Sequence, residues 1–436
     1  MIVAHTWRRV SMPSEKSRLT ISSNIWACFM KLEGVAYISS LRNSPDDRHN
    51  LLIFAPDPAS PIKKIYLGED YLGVIKTSFR PPESCRQGQP DFWWRMVSLE
   101  SSTTVVRDTN SLKVRRIVSD DKAAADNNGS ASILWAAPPP RIPRLIQLEK
   151  SHPSARMATF VCNDPGVIAY WVHFNLRITS IHAHTSEEDL AMFKSRPASI
   201  EHRGLWQYFP LHSGEKITEI WVRGSQWLRV ALIFKTSHDR VVVFGQHETI
   251  KPKTRLFLMD RPYQEKPSRI FFEESNSGVR AIANETPRPR VSPEYTVDLP
   301  QPTRNLVKST APVPWYYWTA CLRGIKEIVP SQRCKSGWRK VIFGLLLRYY
   351  DGRRACLGQV RLDSLMTTLE VGGHPSFWLE TCEDNARFPF VMDVGLSSGG
   401  PCNLHPYSEV EIRTDDSVDW WFSYHHSRVY PREDKS

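Results

Sequence analysis

The sequence contains no C-x-x-C pair and no G-x-G-x-x-G or G-K-[ST] loop. The first absence removes the zinc-ribbon spacing, because two thiolates need that separation to meet one ion. The second removes the backbone cradle for a phosphate, and Gly372-Gly373 and Gly399-Gly400 lack the context to replace it. Long apolar runs are also missing. The most apolar stretch, Val341 to Leu347, is too short to cross about 30 Å of hydrocarbon as a helix and reads as a buried strand. Arg8 and Arg9 are followed by polar residues, so no signal peptide is expected. The expectation is an intracellular chain, cytoplasmic or nuclear, with no membrane partner. In that reducing setting the eight scattered cysteines act as small buried side chains, and the N-x-S/T sites at Asn128 and Asn284 stay unused.

Charge is not concentrated either. The net charge is +11, but Arg115-Arg116 and Arg288-Pro289-Arg290 are short runs without an aromatic-basic RNA motif or a zinc finger. A solvated basic surface explains them, and a nucleic-acid partner is not expected. No catalytic residue, cofactor or metal set is assigned. His182 and His184 share one strand face and could ligate an ion with Glu187, Glu188 or His202, but an ordinary strand surface explains them equally well. His425-His426 points its rings to opposite faces. Glu187, Glu188 and Asp189 fit the first turn of a short helix over Thr185 to Phe193 better than an acid/base pair.

What the chain does have is aromatics and proline. Its 15 Trp, 14 Tyr and 18 Phe favour pleated surfaces, and its 32 Pro break up long elements. Short apolar runs at Leu51 to Phe54, Phe92 to Leu99, Ser111 to Val118 and Ile133 to Trp135 read as strands between turn clusters. The divisions expected from composition are a loose arm over 1–24, a degenerate β module over 25–150, a second β module over 151–283, a proline-rich linker over 284–314 and a C-terminal β module over 315–436. The proline density of the linker favours an extended tether or a strap across the surface.

One pattern repeats. Ile217-Thr218-Glu219-Ile220 is followed by Ala231-Leu232-Ile233-Phe234, Asp239-Arg240 and Val243-Phe244-Gly245. Ile325-Lys326-Glu327-Ile328 is followed by Leu345-Leu346-Leu347, Asp351-Gly352-Arg353 and Cys356-Leu357-Gly358. A weaker copy runs from Ile38-Ser39-Ser40-Leu41 through Leu52-Ile53-Phe54 to Tyr66-Leu67-Gly68. Each reads as a three-strand meander, with Asp351-Gly352 as its best hairpin signal. A single ribbon cannot cover its own apolar face, so the copies should pack together.

The segment from Gly214 to Gly245 resembles a repeat of the jacalin-like lectins, and 325–358 and 38–68 follow it less closely. That resemblance implies a β-prism of three four-stranded sheets. The chain also resembles a group of filamentous-fungal proteins related to F-box-containing proteins. The resemblance lies over Gly214 to Gly245, Tyr349-Tyr350-Asp351-Gly352-Arg353-Arg354 with Leu357-Gly358, and Trp420-Trp421-Phe422-Ser423-Tyr424. The fold expected is all-β, with tandem β-ribbon modules in a β-prism-like or propeller-like arrangement and one or two short helices. The function expected is non-catalytic recognition of a partner protein, as a divergent relative of F-box substrate receptors without a readable F-box. Carbohydrate binding is the alternative, although the lectin sugar loop G-x-x-x-D is absent. Paired aromatics supply the binding candidates, Trp315, Trp318, Trp420 and Trp421, because one ring of each pair should enter the core and the other face outward.

Overall fold

The computed structural model describes residues 15–32, 34–47, 51–70, 72–82, 92–99, 103–109, 112–120, 132–139, 143–148, 154–185, 204–224, 230–247, 255–275, 278–290, 292, 294–304, 314–335, 339–384, 388–397, 407–424 and 426–432. These form an all-β protein of many small sheets. The chain divides into two compact units, one of 1–159, 271–274 and 280–283, the other of 160–270, 275–279 and 284–436.

In the first unit, strand Lys64–Glu69 lies between Val74–Ser78 and Trp93–Ser98 within an eight-stranded sheet. Alternation places Ile65 and Leu67 in one apolar cluster, with Ile25, Ile38, Leu41 and Val97, and Tyr66 in another with Trp94 and Trp135. The weakest repeat does not form the expected meander. Val35–Arg42 and Leu51–Phe54 pair with opposite sides of Ile25–Leu32, and the third run joins another sheet. A local signal decides this. The Asp70 carboxylate accepts the backbone N–H of Leu72 and of Gly73, at 2.7 and 2.9 Å, and so ties Lys64–Glu69 to Val74–Ser78 as a hairpin.

In the second unit both clear repeats form antiparallel meanders. Ile217–Gly224 pairs with Ala231–Thr236, which pairs with Val241–Phe244. Ile325–Lys335 pairs with Arg339–Tyr349, which pairs with Arg354–Gly358. Their details coincide. A register shift falls between Ile217 and Glu219 in one and between Ile325 and Glu327 in the other. The turns close with Thr236 N–H to Arg240 O and Tyr349 N–H to Arg353 O, and a left-handed residue, Asp239 or Gly352, sits inside each. The closing glycine has a reason in the second copy. Gly358 has φ +70°, and a Cβ there would lie 2.3 Å from the Phe343 carbonyl oxygen.

The shift explains the I-x-x-I spacing. In a regular strand, residues three apart face opposite ways. The extra residue restores Ile220 to the face of Ile217, opposite Phe234 and Thr236 respectively, and turns Glu219 outward with Trp221. Ile217, Ile220, Leu232, Phe234, Ile325, Ile328, Leu345 and Leu347 are all buried. Around Phe234 the core is aromatic, with the rings of Tyr170 and Phe244 5.5 and 5.1 Å away.

Neither a β-prism nor a propeller results. Among the described residues the sheets hold three, eight, three, four, three, three and seven strands, and none closes on itself. The ribbon fixes its own hairpins but not how many strands add to its sides. The eight residues of Ile217–Gly224 take one outer partner, Arg255–Asp260. Arg339–Tyr349, at eleven residues, runs on to pair at Ile342 with Val391 and so enters a seven-stranded sheet. The helix expected over Thr185 to Phe193 lies outside the described residues apart from Thr185, which ends strand Arg177–Thr185. A single 3-10 turn is described at Leu362–Ser364.

The described part of 284–304 is a strap. Proline carries no N–H, so this segment cannot extend a sheet edge by a full ladder. Side-chain carboxylates fasten it instead. Asp260 accepts from Asn284 at 2.7 Å and from Thr286, Glu219 accepts from the Tyr295 hydroxyl, and Asp419 accepts from the Thr303 N–H and hydroxyl at 2.8 and 2.6 Å. Val297 packs with Trp221 and Ile233, covering the outer face of the first ribbon. That cover explains why Leu232 and Ile233 are both buried although they face opposite ways.

Two outcomes follow. Phe234→Ala and Leu347→Ala should each lower unfolding free energy by about 3–5 kcal/mol in denaturant titrations, whereas losses below about 1 kcal/mol would show the faces to be misassigned. Limited proteolysis of the native chain should spare residues 294–304, and a first cut there would contradict the strap.

Candidate functional site

The four tryptophans expected to form a binding patch are brought together, but mostly inside. Tyr316–Cys321 pairs with Ser417–Phe422 so that Trp318 lies opposite Trp420 and Tyr317 opposite Trp421. Trp420 and Trp421 are buried at 0 and 3% exposure. Trp420 packs under Gly358, where an added Cβ would come within 2.8 Å of its indole nitrogen. Trp421 stands edge-on to His247, with ring centroids 4.7 Å apart. Trp315, half-buried, precedes the strand, and its carbonyl accepts the His247 N–H at 2.8 Å. Trp318 is 8% exposed, its indole N–H has no hydrogen-bond partner, and it lines a cleft.

That cleft, of about 310 Å³, lies within the second unit and has the size of a small-ligand or side-chain site. The turn and third strand of each ribbon contribute equivalent positions, Arg240 with Val242 and Val243 from one, Arg353 with Ala355 and Cys356 from the other. Gln301 and Pro300 of the strap, Tyr317 and Trp318 complete the wall, with Arg223, His212 and His247. Three arginines and two histidines thus meet on a surface to which, among the described residues, no carboxylate contributes.

Each arginine is positioned. Arg240 donates to Glu215 at 2.8 Å and to Pro210 O at 3.2 Å, and its guanidinium lies over the Phe209 ring at 4.4 Å. Arg353 is held by Asp351 across the turn at 2.5 Å and lies over the Tyr349 ring. Arg223 is buried and donates to Gln246 O. Behind Arg240, burial alone would raise the pKa of Glu215. The Arg240 charge and hydrogen bonds from the His212 N–H and the Thr236 hydroxyl together outweigh it, so the carboxyl stays below its usual range. Burial, reinforced by the charge of Arg223, lowers the pKa of His247 to about 4, so this ring is neutral at pH 7. Burial pushes the Cys356 thiol far up, which keeps it protonated and a poor nucleophile. Cys28, Cys162, Cys321, Cys356 and Cys382 are free thiols.

Of the histidines weighed in the sequence, His182 and His184 lie in strand Arg177–Thr185, and His426 lies in the turn before Ser427–Arg432. His184 is buried, stacked on Trp171 at 4.5 Å, with Nδ1 3.2 Å from the Tyr208 hydroxyl. His426 faces Asp384 at 3.1 Å, while His425 is outside the described residues. Sequence reasoning missed the cleft arginines, although Asp239-Arg240 and Asp351-Gly352-Arg353 stood at matching places in the two repeats. Among the described residues no helix is long and apolar enough to cross a membrane.

No family model matches the chain, and no curated protein matches its sequence.

The two neutral histidines make stability depend on pH. His184, lowered to about 4 by burial and then by Arg354, behaves as His247 does. Their folded values lie below the unfolded value near 6.5, so the unfolded chain binds more protons between those limits. Their contribution is therefore complete above pH 6.5 and is lost as the pH falls toward 4. Unfolding free energy measured at pH 7, 6 and 5 should decline over that window, and His247→Gln should flatten the slope. A level profile from pH 7 to 5 would contradict the assignment.

Proposed function

We propose that this chain is a non-catalytic recognition protein and that the arginine cleft of its second unit takes an acidic segment of a partner protein. The observation that carries the reading is the convergence of Arg223, Arg240 and Arg353 on a cleft without a lining carboxylate among the described residues. Arginine suits this task because its planar fork matches carboxylate and phosphate oxygens. The rings of Tyr317 and Trp318 add apolar area beside the charges, and the unpartnered Trp318 N–H offers a further donor. Fixing Arg240 and Arg353 by ion pairs and ring contacts lowers the entropy lost on binding. A protonated Cys356 and a neutral, ring-enclosed His247 support binding over nucleophilic chemistry. The resemblance to fungal F-box-related proteins supports a protein as the source of the acid.

Calorimetry with a glutamate decapeptide, its glutamine counterpart and a phosphoserine peptide tests this. The acidic peptides should bind and the neutral one should not. Arg353→Ala, at a half-exposed turn position, should weaken binding about tenfold with the fold retained. Equal binding of the glutamine peptide, or no effect of Arg353→Ala, would overturn the proposal. Capture of neutral oligosaccharides instead would favour the carbohydrate alternative.

A further inference from the structure

Beside the cleft, two turns of the first ribbon bring His212, Glu215 and His238 together, each offering one ligand atom, with all of these atoms within 4.8 Å of one another. His212 and Glu215 stand in the loop that precedes Ile217–Gly224, and His238 lies in the turn between Ala231–Thr236 and Val241–Phe244. We infer that these three side chains bind a divalent transition ion of the Zn2+ class.

Two imidazoles and one carboxylate form a donor set that such ions accept with a further position left for water or ligand. The parts are already held. The imidazole centroids are 5.7 Å apart. Glu215 is 5% exposed and cannot swing freely, because one oxygen accepts the Thr236 hydroxyl at 2.5 Å and the other the His212 N–H at 2.7 Å. Thr236 also accepts the N–H of His238 and of Arg240, each at 3.3 Å, so the residue that orients the carboxylate also shapes the turn carrying the second imidazole. This is the arrangement of an outer hydrogen-bonded shell around a ligand set. Arg240, 2.8 Å from Glu215, opposes a cation and sets an upper limit on affinity. A structural site that organises the whole fold is therefore not expected. A weaker, exchangeable ion next to an anion cleft is.

This inference does not rest on the peptide reading, and its test uses the ion alone. The full chain, stripped with chelator, is titrated with ZnCl2 by calorimetry and with Co2+ by visible absorption. One ion per chain should bind, with cobalt bands of low coordination number. His238→Ala alters an exposed turn residue and should weaken binding by at least about tenfold. Asp239→Asn, next to it and fully outside the ligand set, should leave binding unchanged. No binding of either ion, or a loss with Asp239→Asn equal to that with His238→Ala, would overturn the site.

Discussion

The second unit depends on a one-residue bulge, at Thr218 in one ribbon and at Lys326 in the other. Without it, the two isoleucines of I-x-E-I would face opposite sides of the sheet, and one would leave the core. With it, both enter, and the intervening glutamate is forced to the other face. Burial there would raise the pKa of Glu219, but hydrogen bonds from Tyr295, Trp221 and Arg261 outweigh it, and the carboxylate becomes the anchor for the strap. In the second ribbon Glu327 is met by Lys326 and Arg348 instead. The same backbone device thus serves two different outer surfaces.

The cleft is a consequence of that repetition. Two ribbons with the same turn geometry place an arginine just after each left-handed residue, Arg240 after Asp239 and Arg353 after Gly352. The strap then supplies Leu299, Pro300 and Gln301 as a third wall. The strap is held there by Asp419, which Tyr317 also contacts at 2.7 Å. Fold and site therefore share residues, so loss of the strap would open the cleft as well as expose Trp221 and Ile233.

Local rules were readable in the sequence. Asp351-Gly352, the alternation around Leu232 and Phe234, and the closing glycines set the hairpins, because each depends on residues within a few positions. Leu51–Phe54, Trp93–Ser98, Val114–Ser119 and Ser132–Trp135 form near their expected places for the same reason. Sheet size, by contrast, depends on partners distant in sequence, which is why the β-prism and propeller expectations failed. The outward aromatics failed too. Burial of Trp420 and Trp421 depends on Gly358, His247 and Tyr317, none of them neighbours in sequence. The His212, Glu215 and His238 set escaped notice because its ligands come from two turns with no fixed spacing.

The most direct test compares two changes at one exposed position. Deleting Lys326 removes the bulge, whereas Lys326→Ala keeps the backbone and removes an exposed side chain whose partner Glu327 is still met by Arg348. The measurement is the thermal midpoint. Lys326→Ala should melt close to the parent, and the deletion should melt at least about 5 °C lower, because it drives Ile325 from the core. A deletion variant as stable as Lys326→Ala would show that the bulge does not set the faces of the ribbon.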